Sequence, residues 1–142
     1  MTFDEIKIES KKDLVIHEDD LGHMSAITPE LNHKYLMELY SSKEYLHKLE
    51  YQYKVLFKDK WLYYSGKSSA AVYEDNPFDL KVLKSDLQIF FDADKELSSS
   101  MYKINYVRNK IECITKIIDE LNRRTWTISN MIKHQKFISG EM

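Results

Sequence analysis

Three observations predict an all-α chain of long helices packed as an antiparallel helical pair with shorter helices. Only 3 glycines and 2 prolines occur among 142 residues, too few for the many tight turns of an all-β protein. No helix breaker stands between Pro29 and Gly66, and a second long apolar pattern occupies the C-terminal part of the chain. Hydrophobic residues make up 43% and charged residues 31%, which fits a soluble folded chain of one domain able to bury a core.

The elements follow in order. Residues 1–27 form an acidic N-terminal segment. Thr2 or Asp4 caps a short helix that fades near Asp13, residues 13–17 are extended or irregular, and Asp19 or Asp20 caps a short turn up to Gly22. Thr28-Pro29-Glu30 reads as a helix start, with Thr28 as N-cap, Pro29 at the first helical position and an acid behind it. The long helix assigned to residues 28–66 then has a length of roughly 55 Å at ~1.5 Å per residue, and a helix so long needs partners along it. Tyr35, Leu39, Ser42, Leu46, Leu49, Tyr53, Leu56, Lys60 and Tyr63 recur by fours and threes as its seam.

A connector at 67–79 follows, long for a helical bundle and expected to be mobile or functional. The remainder, 80–142, reads as C-terminal helices. Residues 83–94 suggest a shorter helix, with Asp94 capping the next. A second seam runs through Met101, Ile104, Arg108, Ile111, Cys113–Thr115, Ile118, Leu121, Thr125, Ile128 and Ile132. A kink is expected near Asn122-Arg123-Arg124-Thr125, and Gly140 closes the last helix.

Charge is distributed in blocks. The net is −2, yet residues 1–30 carry 3 lysines against 8 acids, whereas residues 43–67 carry 6 lysines against 3. Residues 108–136 are basic again, with 7 bases against 3 acids. No apolar run approaches the ~18 residues of a membrane span. The single cysteine, Cys113, forms no internal disulfide, and a reducing intracellular compartment is expected.

Enzymatic chemistry finds no support. Three scattered glycines make no phosphate-binding loop, and no serine sits in a glycine-flanked elbow. His17, Asp19, Asp20 and His23 are the nearest approach to a ligand cluster, but acidic segments of this kind are usually solvated. Neither metal nor cofactor is expected.

The segment 54–67 is different. It combines Lys54, Lys58, Lys60 and Lys67 with Phe57, Trp61, Tyr63 and Tyr64 at the end of the long helix. Cations for phosphates beside aromatic faces for bases are what a single-stranded nucleic-acid site requires. A helix packing its aromatics while its lysines stay in water has the same composition. Lys54 and Lys58 lie one turn apart, with Trp61 on the same stripe, while Lys60 lies about 200° round from Lys58, near Tyr64 and Lys67. Tyr63 continues the seam and is assigned to the core, and Trp61 is the better stacking candidate. On the residues alone Lys60 is either a DNA contact or a seam residue paired with an acid.

The run Lys58-Asp59-Lys60-Trp61-Leu62-Tyr63-Tyr64-Ser65-Gly66 resembles the basic and tyrosine–tyrosine–x–glycine signature of the UvsY-type recombination mediators of T-even-type bacteriophages and their relatives. The resemblance continues in order through Leu83-Lys84-Ser85-Asp86, Asp92-Ala93-Asp94 and Leu121-Asn122-Arg123-Arg124-Thr125. It ends on Lys136-Phe137-Ile138-Ser139-Gly140. Asp59 between the lysines and the net negative charge depart from the family pattern.

The resemblance implies a non-enzymatic factor that binds single-stranded DNA and assembles into a ring-like homo-oligomer of six or seven subunits. Such a factor helps load a RecA-type recombinase onto DNA coated by single-strand-binding protein, in the cytoplasm of the infected bacterial host. It maps DNA binding onto Lys58 and Lys60, to which the helical spacing adds Lys54, Lys67, Trp61 and Tyr64. Oligomerisation maps onto Ile111, Ile114, Ile118, Leu121, Ile128 and Ile132. A helical scaffold or assembly chaperone without DNA affinity is the competing reading.

Overall fold

A computed structural model describes residues 1–141, and its regular elements among them are all helical. They are α1 (Phe3–Asp13), α2 (Leu21–Tyr64), α3 (Ala70–Asp75), α4 (Leu87–Ala93) and α5 (Lys95–Ile138), with short 3₁₀ turns at Glu18–Asp20 and Lys84–Asp86. The chain divides into two compact units. The first combines Met1–Lys43 with the chain from Asn109 on, and the second is Glu44–Arg108. α2 and α5, each of 44 residues, contribute to both.

In the first unit α1 opens on a capping box. The Thr2 hydroxyl accepts from the Glu5 amide at 3.1 Å, and the Thr2 amide donates to the Glu5 carboxylate at 2.8 Å. α2 begins at Leu21, earlier than the expected start at Thr28. Thr28 is no N-cap: its hydroxyl donates back to the Met24 carbonyl at 2.8 Å, and Pro29 lies inside the helix. A proline there forfeits one backbone bond, a cost of about 3 kcal/mol in an exposed helix. Packing offsets that cost, because the turns before Pro29 bury Leu21 and Met24 against Ile128.

The main core of this unit is aliphatic with one tyrosine: Ile6 from α1, Tyr35 and Leu39 from α2, and Ile114, Ile117 and Leu121 from α5. Met24 near Ile128 and Leu39 near Ile114 show that the α2 and α5 portions run antiparallel here. α5 continues unbroken through residues 122–125, where a kink was expected. Arg124 takes the inward position in this stretch. It is buried, and its guanidinium donates to the Asp13 carbonyl at 2.7 Å, capping the end of α1.

The second unit also pairs α2 and α5 portions in antiparallel sense, with Arg108 beside Glu50 at 3.7 Å and Lys60 beside Glu96 at 3.3 Å. The seam of α5 uses Ile104 and Val107, so Arg108 is not the core position its spacing suggested. α2 ends where Gly66 takes a positive φ of 75°. The Gly66 amide donates to Tyr63 and the Lys67 amide to Leu62, the paired bonds of a Schellman stop. Gly140, φ 78°, stops α5 in the same way.

The connector at 67–79 carries α3 and folds back onto the end of α2. Tyr73 stacks on Tyr63 at 5.6 Å and its hydroxyl donates to the Tyr63 carbonyl at 2.8 Å. Phe78 and Phe90 complete an aromatic cluster around Tyr63 and Tyr64. The expected helix over 83–94 is shorter, starting with the 3₁₀ turn and continuing as α4 from Leu87.

Candidate nucleic-acid interface

The signature segment is divided by the tertiary structure. Its inner side closes the second unit, where Leu87, Phe91 and Leu97 pack against Tyr53, Leu56, Phe57, Trp61 and Tyr64. At the centre lies Asp94, which performs its expected capping role: its carboxylate accepts from the Leu97 amide at 2.9 Å. The same carboxylate accepts from the Tyr64 hydroxyl at 2.6 Å and lies 3.2 Å from the Lys60 ammonium. Burial alone raises the Asp94 carboxyl, but the hydrogen bonds from Tyr64, Leu97 and Lys60 outweigh it and hold the group below the ordinary carboxylate range. Burial likewise pulls the Lys60 ammonium down, and its bonds to Asp94 and Glu96 more than reverse this. Tyr64 is pushed up, first by burial and then by the bond it donates to Asp94.

Three of the six expected DNA contacts are therefore engaged inside the unit. Lys60 is paired with two carboxylates, with only 19% of its side chain exposed. Tyr64 is held by Asp94 and by the rings of Phe78, Phe90 and Phe91. Trp61 packs on the core cluster, and the Lys67 ammonium covers its ring at 4.5 Å. The assignment of Tyr63 to the core agrees with its place in the aromatic cluster.

Lys54 and Lys58 behave differently. Both are exposed, and among the described residues Lys58 pairs only with the neighbouring Asp59, at 3.6 Å with both side chains largely in water. Such a pair contributes little and yields readily to a phosphate. Between them and Lys48 the outward side of α2 presents Tyr51, which is 67% exposed. Lys48, Tyr51, Val55 and Lys58 follow at spacings of three, four and three, a single stripe on a helix. An exposed tyrosine flanked by lysines is the geometry a single strand needs, with its phosphates on ammoniums and a base on a ring. Sequence reasoning missed Tyr51. The available signal was its position, about half a turn from both Leu49 and Tyr53 and hence opposite the seam.

The six residues expected in subunit contacts are also sorted by burial. Ile114, Leu121 and Ile128 are covered by the chain itself, and Ile111 and Ile118 pack against the same core. Ile114 and Leu121 have no exposed surface in the single chain. Ile132 remains exposed, and beyond it Phe137 is 82% exposed. Among the described residues no three His, Cys, Asp or Glu side chains converge as a metal site, and no helix is long and apolar enough to cross a membrane.

A family model described as "Recombination, repair and ssDNA binding protein UvsY" matches residues 9–141. The chain belongs to the UvsY family. It is similar to the recombination protein uvsY of Enterobacteria phage T4, with 23% identity over 141 residues covering 99% of this chain and 100% of that protein. Its fold is that of crystal structures titled as the bacteriophage T4 recombination mediator protein UvsY. One, in lattice type II, aligns with a TM-score of 0.86 at 24% identity over 98% of each chain. Another, in lattice type I, gives 0.83 at 24% identity over 94% of this chain and 98% of that one. Function follows from membership: this chain is a recombination, repair and single-stranded-DNA-binding protein of the UvsY family.

Proposed function

We propose that single-stranded DNA lies along the outward side of α2 in the second unit, held by Lys54 and Lys58 with Tyr51 as a stacking face. The observation that carries this reading is the contrast within the signature. Lys58 is free to exchange its exposed partner Asp59 for a phosphate, whereas Lys60 is held by two carboxylates. Lys60 acts by fixing the end of α2 and so the direction in which Lys58 points. Lys67 and Trp61, stacked on one another, form the edge of the surface.

Several copies then act on one strand. The chain assembles as a homo-oligomer, a ring of six or seven subunits, which repeats each lysine and turns weak contacts into avidity. The support for assembly is apolar surface left uncovered on α5: Trp126 is 73% exposed and Phe137 82% exposed, eleven residues apart and so on nearly one face of the helix. The ring holds the strand in a form that weakens the grip of a single-strand-binding protein and offers a start to a RecA-type recombinase, in the cytoplasm of the infected host. The recombinase carries the nucleotide chemistry.

The test is binding of the full chain to a labelled oligonucleotide across a salt series. Single strands bind more tightly than duplex, independently of base sequence, and log affinity falls with log salt at about −0.7 per phosphate neutralised. Affinity indifferent to salt overturns the reading. For assembly, light scattering is expected to report an oligomer, and Phe137→Glu with Trp126→Glu to dissociate it. A monomer in the unsubstituted protein overturns that part.

A further inference from the structure

A groove of about 500 Å³ lies between the α2 and α5 portions of the second unit. Its cationic lining comes from Lys48 on α2 and from Lys95 and Lys103 on α5. None of these three ammoniums has an ion pair among the described residues, although ten other pairs are formed. One carboxylate also lines the groove, Glu96, 3.3 Å from the Lys60 ammonium that it shares with Asp94, so the three lysines face a single carboxylate. Three cations without an ion pair against one carboxylate leave the lining net positive, so the groove suits an anion.

Lys95 adds a second anomaly. It is the first residue of α5, where the helix dipole disfavours a cation. The groove also offers the short donors Ser99 and Ser100, and Tyr45, 51% exposed, stands on its lining. Hydroxyls beside ammoniums suit phosphodiester oxygens, and an exposed ring suits a base. Lys48 belongs both to this groove and to the outward stripe of α2, so the two surfaces share an edge.

We infer that this groove is a second track for the backbone of single-stranded DNA, in which Lys48, Lys95 and Lys103 neutralise successive phosphates and Tyr45 stacks on a base. The strand passes from the α2 stripe across Lys48 into the groove. This deepens the proposed reading of the α2 face and rests on it for the direction of the strand, though not for the groove's own charge.

The experiment compares three full-length variants in a salt series with a labelled oligothymidylate: Lys95→Ala with Lys103→Ala, the same positions changed to Arg, and Lys54→Ala with Lys58→Ala. The alanine pair in the groove is expected to weaken binding and make the salt slope shallower by about 1.4 for each subunit engaged, two phosphates at ~0.7 each, while the arginine pair keeps the slope. Thermal melting stays unchanged or rises for the alanine pair, since neither lysine has a partner and Lys95 opposes the dipole. If the groove variant binds normally while the Lys54/Lys58 variant is weakened, the groove is overturned and the α2 reading stands. If only the groove variant is weakened, the groove is supported and the α2 reading fails. Competition by thymidine monophosphate alone at equal phosphate concentration overturns a backbone track in favour of a mononucleotide pocket.

Discussion

Both units are held by the same device, a carboxylate that receives one lysine and one tyrosine from α2. In the first unit Asp13 accepts from Lys34 at 2.8 Å and from the Tyr35 hydroxyl at 2.7 Å. In the second, Asp94 takes Lys60 and Tyr64. The surroundings differ. The Asp13 side chain is 19% exposed within a largely aliphatic unit, whereas that of Asp94 is 4% exposed beneath an aromatic cluster. Lys34 and Lys60 are thus fixtures, while Lys54 and Lys58 face water. Whether a lysine is structural or available to DNA depends on what carboxylate the fold brings to it, and sequence neighbours do not reveal that.

The largest effect expected from breaking this symmetry is at Asp94. Asp94→Ala leaves the Lys60 ammonium to Glu96 alone, orphans the Tyr64 hydroxyl and removes the cap of α5, so thermal or urea unfolding should show a loss of about 2–4 kcal/mol. Asp13→Ala, in the wetter network, should cost about 1–3 kcal/mol. Equal losses would mean that burial does not distinguish the two networks.

Lysine substitutions sharpen the contrast within the signature. Lys60→Ala should lower stability by about 1–3 kcal/mol, with little change in the salt slope of DNA binding. Lys54→Ala with Lys58→Ala should do the reverse, with a slope shallower by about 1.4 for each subunit engaged and an unchanged melting curve. If Lys60→Ala alone flattens the slope at normal stability, Lys60 touches DNA and its ion pairs are exchanged on binding.

Aromatic positions give the next effect. Tyr51→Ala should cost about 1–3 kcal/mol of strand binding and little stability. Tyr64→Phe should leave binding alone and cost about 0.5–1.5 kcal/mol of stability through the lost bond to Asp94.

The smallest effect is acid sensitivity. Asp13 and Asp94 are both held below the ordinary carboxylate value, so each adds stability that is complete above about pH 4 and lost as pH falls through its lower folded value. Denaturation followed from pH 6 down to 2 should steepen below that point. Asp94→Asn should blunt the steepening while lowering stability throughout. Lys34 and Lys60, raised above the ordinary lysine value, keep their contributions until strongly alkaline pH.

Much of the fold was legible because it is local. Thr2 with Glu5, Asp94 with Leu97, and the two glycine stops each involve residues within one or two turns, so spacing alone predicts them. The seam of α2 was legible for the same reason, since burial follows the helical period. Thr28-Pro29 misled because a start signal weighs only a few kcal/mol, and burial of Leu21 and Met24 outweighed it.

Chemistry-bearing residues were legible only as candidates. The sequence placed Lys54, Lys58, Lys60, Trp61 and Tyr64 together and marked the family they resemble. It left Lys60 undecided between a DNA contact and a paired seam residue. Only the tertiary structure supplies the acid that pairs with it, because Asp94 lies more than thirty residues away along the chain and reaches Lys60 through the packing of α4 and α5 on α2. The same long-range contacts turned Trp61 and Tyr64 inward and left Tyr51 in water. Helical periodicity fixes which side a residue takes, but burial and charge pairing depend on which distant segment covers that side.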